Sequence, residues 1–538
     1  MSRKSWSSII RPLPFASMPP PIPPSAMSAS AVSGPVNSFQ REQMPPADRL
    51  ILDRPHRDLI VETLPTQGKS ATALFERLGW KEQSVLFEGM RGGWFDGRFS
   101  LMAGTPFAKF ESKEETSRFE LLGDGKGYAH HQKGNPLAHL QRWLDRFQSS
   151  LFEGSLSEIP FLQGGAAGFF SYDLVRRWEN IPAPSVRNPA IPDILLLFFN
   201  LFVLLDHTRE RLYLVYNPFP EMEMGKPEES ACRDGRAKMA HLRSEFLSSR
   251  PSRAIKPQIL TPTVEEDFSE REYVEMVLRA KEYIAAGDIF QTNLSHRFRI
   301  ASPAPSPFQI YRRLRKINPS PFAAYLDLGL IQIASGSPER LVRVSTSGGR
   351  RLVSTRPIAG THPRGGDEAE DQRMIQSLYK SEKERAEHLM LVDLERNDLG
   401  KVCRYGSIEV DELMSLEKYS HVLHLVSNIQ GELRPEMTLT EVVQALFPGG
   451  TITGVPKVRC MEILSELEKR ARGIYTGAVG YIDFTGEMDL NIAIRTWVRQ
   501  GEEMTFQVGA GIVADSDPEK EYRETLQKAA ALIKALEP

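Results

Sequence analysis

The chain has 538 residues, 41% hydrophobic and 25% charged, the balance of a globular protein long enough to bury large cores. A formal net charge of −2 gives no overall field that would draw it to nucleic acid or an anionic membrane surface, so a charged ligand has to be met locally. The three cysteines, Cys232, Cys403 and Cys460, form neither a CxxC metal pattern nor a disulfide framework, which fits a cytoplasmic protein; none stands in the glycine-flanked turn that raises a nucleophilic thiol, which argues against glutaminase chemistry on this chain.

Residues 1–48 are rich in Pro, Ser and Met, carry no acid before Glu42 and lack periodicity. They read as a disordered tail, the Pro run breaking the amphipathic helix an organelle-targeting segment would need. From 49 to 220, short alternating runs such as Arg211–Tyr216, separated by Gly, Pro and Asp turns, predict a mostly β region, with a glycine-rich strand at 164–172. Residues 194–205, bracketed by Asp193 and Asp206 and containing Asn200, are the most apolar stretch; they fall short of the ~20 residues of a membrane helix and read as one buried strand. Residues 221–265 read as a linker or exposed helical excursion.

A second unit, 266–538, opens on the capping box Ser269-x-x-Glu272, with Tyr273, Val277, Ala280 and Ile284 at helical spacing. It continues with long helices and with strands at 481–484 and 491–498 joined by a turn at Thr485-Gly486. The predicted class is α+β, antiparallel sheets packed with helices, without an internal repeat.

Within this unit a helix opening at Ser381 puts Glu384, Glu387, Leu391 and Leu394 on one face. The last helix, capped by Asp517 with Pro518 in its first position, places Glu521, Glu524 and Lys528 on a stripe that runs into Leu532 and Ala535. Carboxylates on an apolar stripe need a compensating positive charge. Two such pairs supply oxygens of the kind Mg²⁺ takes; equally, Glu384 can be the capping partner of Ser381 and Glu521 a solvated first-turn acid. Gly509-Ala510-Gly511 either lets backbone N–H groups approach a ligand carboxylate or bends its strand. Phe447-Pro-Gly-Gly450 through Pro456-Lys457 is a glycine-rich turn into a helix. His424, among apolar residues, is either a proton-handling group or a hydrogen-bonded core histidine, and Arg495, alternating with Ile492 and Ile494, is expected on the opposite face of its strand.

Together these segments resemble the chorismate-utilising family, which comprises the anthranilate, aminodeoxychorismate, isochorismate and salicylate synthases. The likeness runs from about residue 50 to the C-terminus and is densest after Tyr273. It implies that family's fold and assigns roles residue by residue. Glu387 in Ala386-Glu-His388 and Glu524 in Glu521-Tyr-Arg-Glu524 match its Mg²⁺ ligands, with Glu384 and Glu521 in water-mediated support. Gly360 and Thr361 of Pro357-Ile-Ala-Gly-Thr361, Tyr475, Arg495, the backbone of Gly509, Ala510 and Gly511, and Lys528 match chorismate-binding positions. Glu339 of Ser337-Pro-Glu339 matches the general acid that protonates the departing 4-hydroxyl, and His424 the active-site histidine.

Gln291 stands where the water-using members carry a lysine base, and a glutamine cannot activate water in that way, so the resemblance points to an ammonia user. Asn293, Pro321-Phe-Ala-Ala-Tyr325, Phe447-Pro-Gly-Gly450 and Asp515-Ser-Asp-Pro518 look like the aminodeoxychorismate branch, while Glu88-Gly89 and Pro321-Phe-Ala323 depart from the Glu-Ser and Pro-Tyr-Met of tryptophan-regulated anthranilate synthases. Ala359 cuts the other way, because some aminodeoxychorismate synthases carry a lysine there that attacks C2. The implied activity is Mg²⁺-dependent amination of chorismate with ammonia from a separate glutamine amidotransferase subunit, with no nucleic-acid or membrane partner. Anthranilate formation is the alternative.

Overall fold

The computed structural model describes residues 59–537 apart from 81, 124–126, 149–161, 189, 249–262, 301–304, 366 and 419–421, so the tail expected over 1–48 lies outside the described residues. Among the described residues two twelve-stranded sheets carry the fold, each an eleven-strand path with one more strand beside it, Gly454–Val455 on Gln291–Ile300 in the first and Glu409–Lys418 on Val422–Glu432 in the second, and every strand pairing described within them is antiparallel. The first runs from Ile60–Pro65 through Arg211–Tyr216, Leu201–Asp206, Phe99–Gly104, Ser84–Gly89, Phe322–Asp327, Ile331–Ser337, Thr496–Gln500, Glu503–Ile512 and Gln291–Ile300 to Val264–Glu266. The second runs from Ile358–Pro363 through Val422–Glu432, Arg350–Arg356, Arg340–Ser347, Met488–Ile492, Ala478–Asp483, Gly165–Phe170, Ile194–Phe199, Ala108–Lys113 and Thr116–Leu121 to Ala129–Lys133.

Alternation of side chains along each strand sorts them into layers. Val85, Phe87, Leu195, Leu197, Phe322, Ile333 and Val479 fill the space between the sheets. On the outer face of the second sheet the helices Pro136–Phe147 and Leu439–Leu446 bury Leu140, Phe147, Val443 and Leu446. On the outer face of the first, Ala71–Leu78, Glu228–Leu247, Pro307–Ile317 and Pro518–Lys534 bury Leu74, Met239, Ile310 and Leu532. The α+β class is thus as expected. Among the described residues no helix is long and apolar enough to cross a membrane.

Three expectations are corrected. Ser84–Gly89 pairs with Phe322–Asp327 and Gly165–Phe170 with Ala478–Asp483, so strands from before 220 and after 266 share both sheets. The boundary at 266 is one of sequence alone. Within the segment read as a linker or exposed helical excursion, Glu228–Leu247 is indeed a helix, but a packed one that buries Ala231, Gly235, Met239, Leu242 and Phe246 on the first sheet's outer face; its charged positions are its solvent side. Finally, residues 194–205 are two strands in different sheets, Ile194–Phe199 and Leu201–Asp206, with the chain crossing at Asn200. The Asn200 amide is tied to Asn217 O at 3.0 Å and Glu221 Oε1 at 3.2 Å, which satisfies the polar group at the crossing.

The chain crosses again at two places that build the site. Ile331–Ser337 passes to Arg340–Ser347 through Pro338 and Glu339, and Met488–Ile492 passes to Thr496–Gln500 through residues 493–495. The expected single strand 491–498 therefore does not exist, and Arg495 lies in the crossing with φ +50° instead of alternating along a strand. The two crossings are stitched together: Gly336 N donates to Arg495 O at 3.0 Å, Ile492 N to Glu339 O at 3.0 Å, and Ser337 Oγ to Ile492 O at 2.6 Å. Arg340 closes the joint with a buried fork onto Asp489 at 2.9 and 3.0 Å.

Candidate active site

Glu339 is held inside the crossing, 5% exposed, with Ile358 N donating to its Oε1 at 3.3 Å and the Thr451 hydroxyl facing its carboxyl. Burial pushes the Glu339 carboxyl up to about 8, an effect strengthened by Glu395 and opposed by Arg495. His424 projects from Val422–Glu432 and is paired in register with Thr361 of Ile358–Pro363. Between Ala359 and Thr361 that pairing is interrupted by a bulge at Gly360, whose φ of +78° suits a residue without Cβ; an added Cβ would lie 3.0 Å from Leu378 and 3.4 Å from Glu384 Oε2. The bulge lets the Gly360 backbone take a hydrogen bond from His424, while burial and the Arg495 guanidinium push this imidazole down to about 4. Arg495 itself donates to Asn318 Oδ1 at 3.3 Å. Glu339, Gly360, Thr361, His424 and Arg495 are thus one neighbourhood, drawn from two sheet crossings and one bulged strand pair.

A second neighbourhood lies on the first sheet. The pairing of Glu503–Ile512 with Thr496–Gln500 stops at Phe506, leaving the strand's edge beyond it out of that ladder, while its other edge stays in register with Gln291–Ile300, Gly511 opposite Asn293 and Gly509 opposite Ser295. The glycines do not bend the strand. They make room, since a Cβ on Gly509 would strike Asn293 Oδ1 at 2.2 Å and Tyr475 OH at 2.7 Å, and one on Gly511 would meet Gln291 Nε2 at 2.9 Å. Gln291 Oε1 and Asn293 Oδ1 are buried without a hydrogen-bond partner. Ala510 turns into the core beside Leu294, so only its backbone belongs to the cradle. Lys528 reaches Gly509 O at 2.7 Å and Glu524 Oε1 at 2.7 Å. Residues 449–454 join the two neighbourhoods: Gly450 N donates to Glu395 at 3.4 Å, Thr451 faces Glu339, and Thr453 O accepts from Asn293 N at 3.0 Å.

The acid pairs sit differently from the inward stripes expected. Ser381 caps Glu382–Gly400 by accepting from Glu384 N at 3.3 Å, but Ser381 N is bonded to Ser377 O, so the cap does not take up the Glu384 carboxylate, which stands by Gly360 instead. The buried face of this helix is His388, Leu391, Val392, Glu395, Asp398 and Leu399, with Glu384 and Glu387 half-buried at its flank. On Pro518–Lys534 the inward face is Tyr522, Thr525, Ala529 and Leu532, while Glu521 is half-buried and Glu524 and Lys528 are exposed. Inward positions recur every three to four residues along a helix, and the stripe drawn through Glu521, Glu524, Lys528, Leu532 and Ala535 starts on the flank and reaches the buried face only at Leu532. Among the described residues no three or more His, Cys, Asp or Glu groups converge as a metal-ligand cluster. In donor chemistry the four acids, two on each helix at half-buried and exposed positions, fit Mg²⁺.

Sequence reasoning missed Glu395, although it extends the series 384, 387, 391 by one more turn. It is 4% exposed, accepts from Thr355 Oγ1 at 3.0 Å and is raised by burial to about 7. Neighbouring Asp398 is paired with Lys401 and Lys457. Arg472 was also missed, having no periodic pattern around it.

Fold and site define an enzyme of two crossed antiparallel sheets, with a buried carboxyl, an imidazole and a guanidinium gathered where the strands change sheets. Residues 93–534 match the family described as chorismate binding enzyme, and the chain belongs to that family. It is 42% identical over 478 residues to aminodeoxychorismate synthase component 1 of Bacillus subtilis (strain 168), covering 88% of this chain and 96% of that protein. It is 38% identical over 471 residues to anthranilate synthase component 1 of Acetivibrio thermocellus, covering 86% and 92%. Among solved structures, anthranilate synthase component I from Streptococcus pneumoniae TIGR4 superposes with a TM-score of 0.68 at 33% identity, over 81% of this chain and 92% of that one. The menaquinone-specific isochorismate synthase MenF of Escherichia coli shares the fold, with a TM-score of 0.65 at 18% identity over 89% and 95%. The protein is therefore a chorismate-utilising enzyme.

Proposed function

We propose that this enzyme replaces the 4-hydroxyl of chorismate by an amino group, giving 4-amino-4-deoxychorismate for 4-aminobenzoate and folate synthesis in the cytoplasm. Ammonia is supplied by a separate glutaminase subunit, since the three thiols here are free and burial raises Cys403 and Cys460 to about 11 and 12, far from nucleophilic at neutral pH. The observation that carries the reading is Glu339: a carboxyl still protonated at neutral pH, beside a fixed cation, in a site with glutamine instead of lysine at 291. The Arg495 and Lys528 cations and the backbone of 509–511 bind the substrate's carboxylates. Ammonia forms the new C–N bond as the C–O bond breaks, Glu339 gives its proton to the departing hydroxyl to make water, and the proton shed by nitrogen returns to the Glu339 carboxylate. Glu387 and Glu524, backed by Glu384 and Glu521, hold Mg²⁺, which when bound neutralises the ring carboxylate.

One observation favours anthranilate formation instead. Residue 359 is alanine, paired in register with Leu425, so no covalent lysine is available there. Chorismate, Mg²⁺ and ammonium given to the purified chain decide between the two by product mass and fluorescence: anthranilate with free pyruvate would overturn the proposal. Glu387→Gln is expected to lower Mg²⁺-supported turnover at least 100-fold; near-normal activity with an unchanged Mg²⁺ dependence would remove Glu387 from the ligand set.

A further inference from the structure

Arg472 is 3% exposed, and its guanidinium is used entirely inside the protein. Nε and Nη2 fork onto Glu468 at 2.9 and 2.7 Å; Nη2 also donates to Asn293 O at 2.6 Å, and Nη1 donates to Ile452 O at 2.9 Å and Thr476 Oγ1 at 3.3 Å. The guanidinium carbon lies 4.9 Å from the Tyr172 ring centre and 5.7 Å from that of Tyr475. Glu468 accepts Ser295 N at 2.9 Å as well, fastening the pair to the strand that carries Gln291 and Asn293.

Each acceptor belongs to a segment that forms the site. Asn293 covers Gly509, Tyr475 and Thr476 adjoin the cradle, and Ile452 follows Thr451, the residue facing Glu339. A buried Arg–Glu pair adds little stability over apolar residues of the same shape, so stability alone does not call for this distribution of donors. A rigid planar fork does fix the relative positions of everything it bonds.

We infer that the Arg472–Glu468 pair is a positioning device that sets the spacing between the glycine cradle at 509–511 and the acid Glu339. Arg472 acts through Asn293, Tyr475 and the 449–454 segment. This rests on the chorismate site proposed above.

The test compares Arg472→Lys with Met239→Ala, a change in the outer-face core of the first sheet. Lysine keeps the charge toward Glu468 but cannot reach Asn293 O, Ile452 O and Thr476 together. Arg472→Lys is expected to raise the KM for chorismate about tenfold and to move the basic limb of kcat/KM to higher pH, because a loosened Thr451 no longer favours the ionised form of Glu339. Met239→Ala is expected to lower the melting temperature with KM unchanged. Should Arg472→Lys not fold, Thr476→Val removes one acceptor of Arg472, together with the hydroxyl's own 2.6 Å donation to Tyr475 O, and is expected to raise KM about threefold. An active wild type with a folded variant whose KM and pH limb match it, whatever its melting temperature, overturns the inference; a wild type that does not turn chorismate over overturns the functional reading instead.

Discussion

Burial acts on Glu339 and His424 in opposite directions because it penalises whichever form is charged. The carboxyl is raised to about 8 and the imidazole lowered to about 4, so both are neutral across the physiological range. At fixed free ammonia, kcat/KM should therefore hold from mildly acidic pH and fall with a midpoint near pH 8; a rate still rising past pH 9 would contradict an acid role for Glu339. Glu339→Gln should cost 10²-fold or more in kcat, the usual worth of a general acid, with chorismate binding retained. The same shifts carry a stability cost. Between the ordinary carboxyl value of 4.5 and about 8, the unfolded chain releases a proton that folded Glu339 keeps, so its contribution falls as pH rises. Between 6.5 and about 4, the unfolded chain binds a proton that folded His424 refuses, so its contribution falls as pH drops. Glu339, His424, Gly360 and Gln291 were legible by resemblance of short motifs. Glu395 and Arg472 were not, because a buried carboxyl eleven residues beyond Glu384 reads as another solvated helix acid, and Arg472 acquires its meaning only from acceptors far away in sequence.

At the level of elements, the site depends on the crossings being held shut. Arg340 and Asp489, with side chains 6% and 1% exposed, brace the Glu339 crossing where it enters the second sheet. Asp489→Asn leaves the guanidinium buried without its counter-charge and should destabilise the protein by about 3–5 kcal/mol, read from the midpoint of urea unfolding; a loss under about 1 kcal/mol would mean the crossing holds without the pair. Helix starts were legible because capping is local: Ser269 with Glu272, and Asp517 with Pro518, form as the spacing predicts. Strand ends at 200 and 495 were not: around 200 both strands are buried on both faces, so the shift of inward phase across the joint leaves no mark in the sequence and only hydrogen-bond partners reveal the change of sheet. Leu195, Leu197 and Phe199 line the space between sheets, and so do Phe202 and Leu204 beyond the joint.

Across the whole molecule, sharing of strands makes folding indivisible. Residues 266–538 alone would lack Ser84–Gly89 and Gly165–Phe170, leaving Phe322–Asp327 and Ala478–Asp483 with bare edges. That fragment should show no cooperative melt by circular dichroism, whereas the full chain should unfold its sheets in one step; a fragment with a sharp transition of its own would restore the boundary at 266. The joint at Asn200 has a further consequence for how substrate gets in. One residue separates a strand of either sheet, so the pair behaves like plates riveted at several points and cannot swing apart as lobes do about a hinge. A route to Glu339 opened by parting the two sheets would have to break those joints.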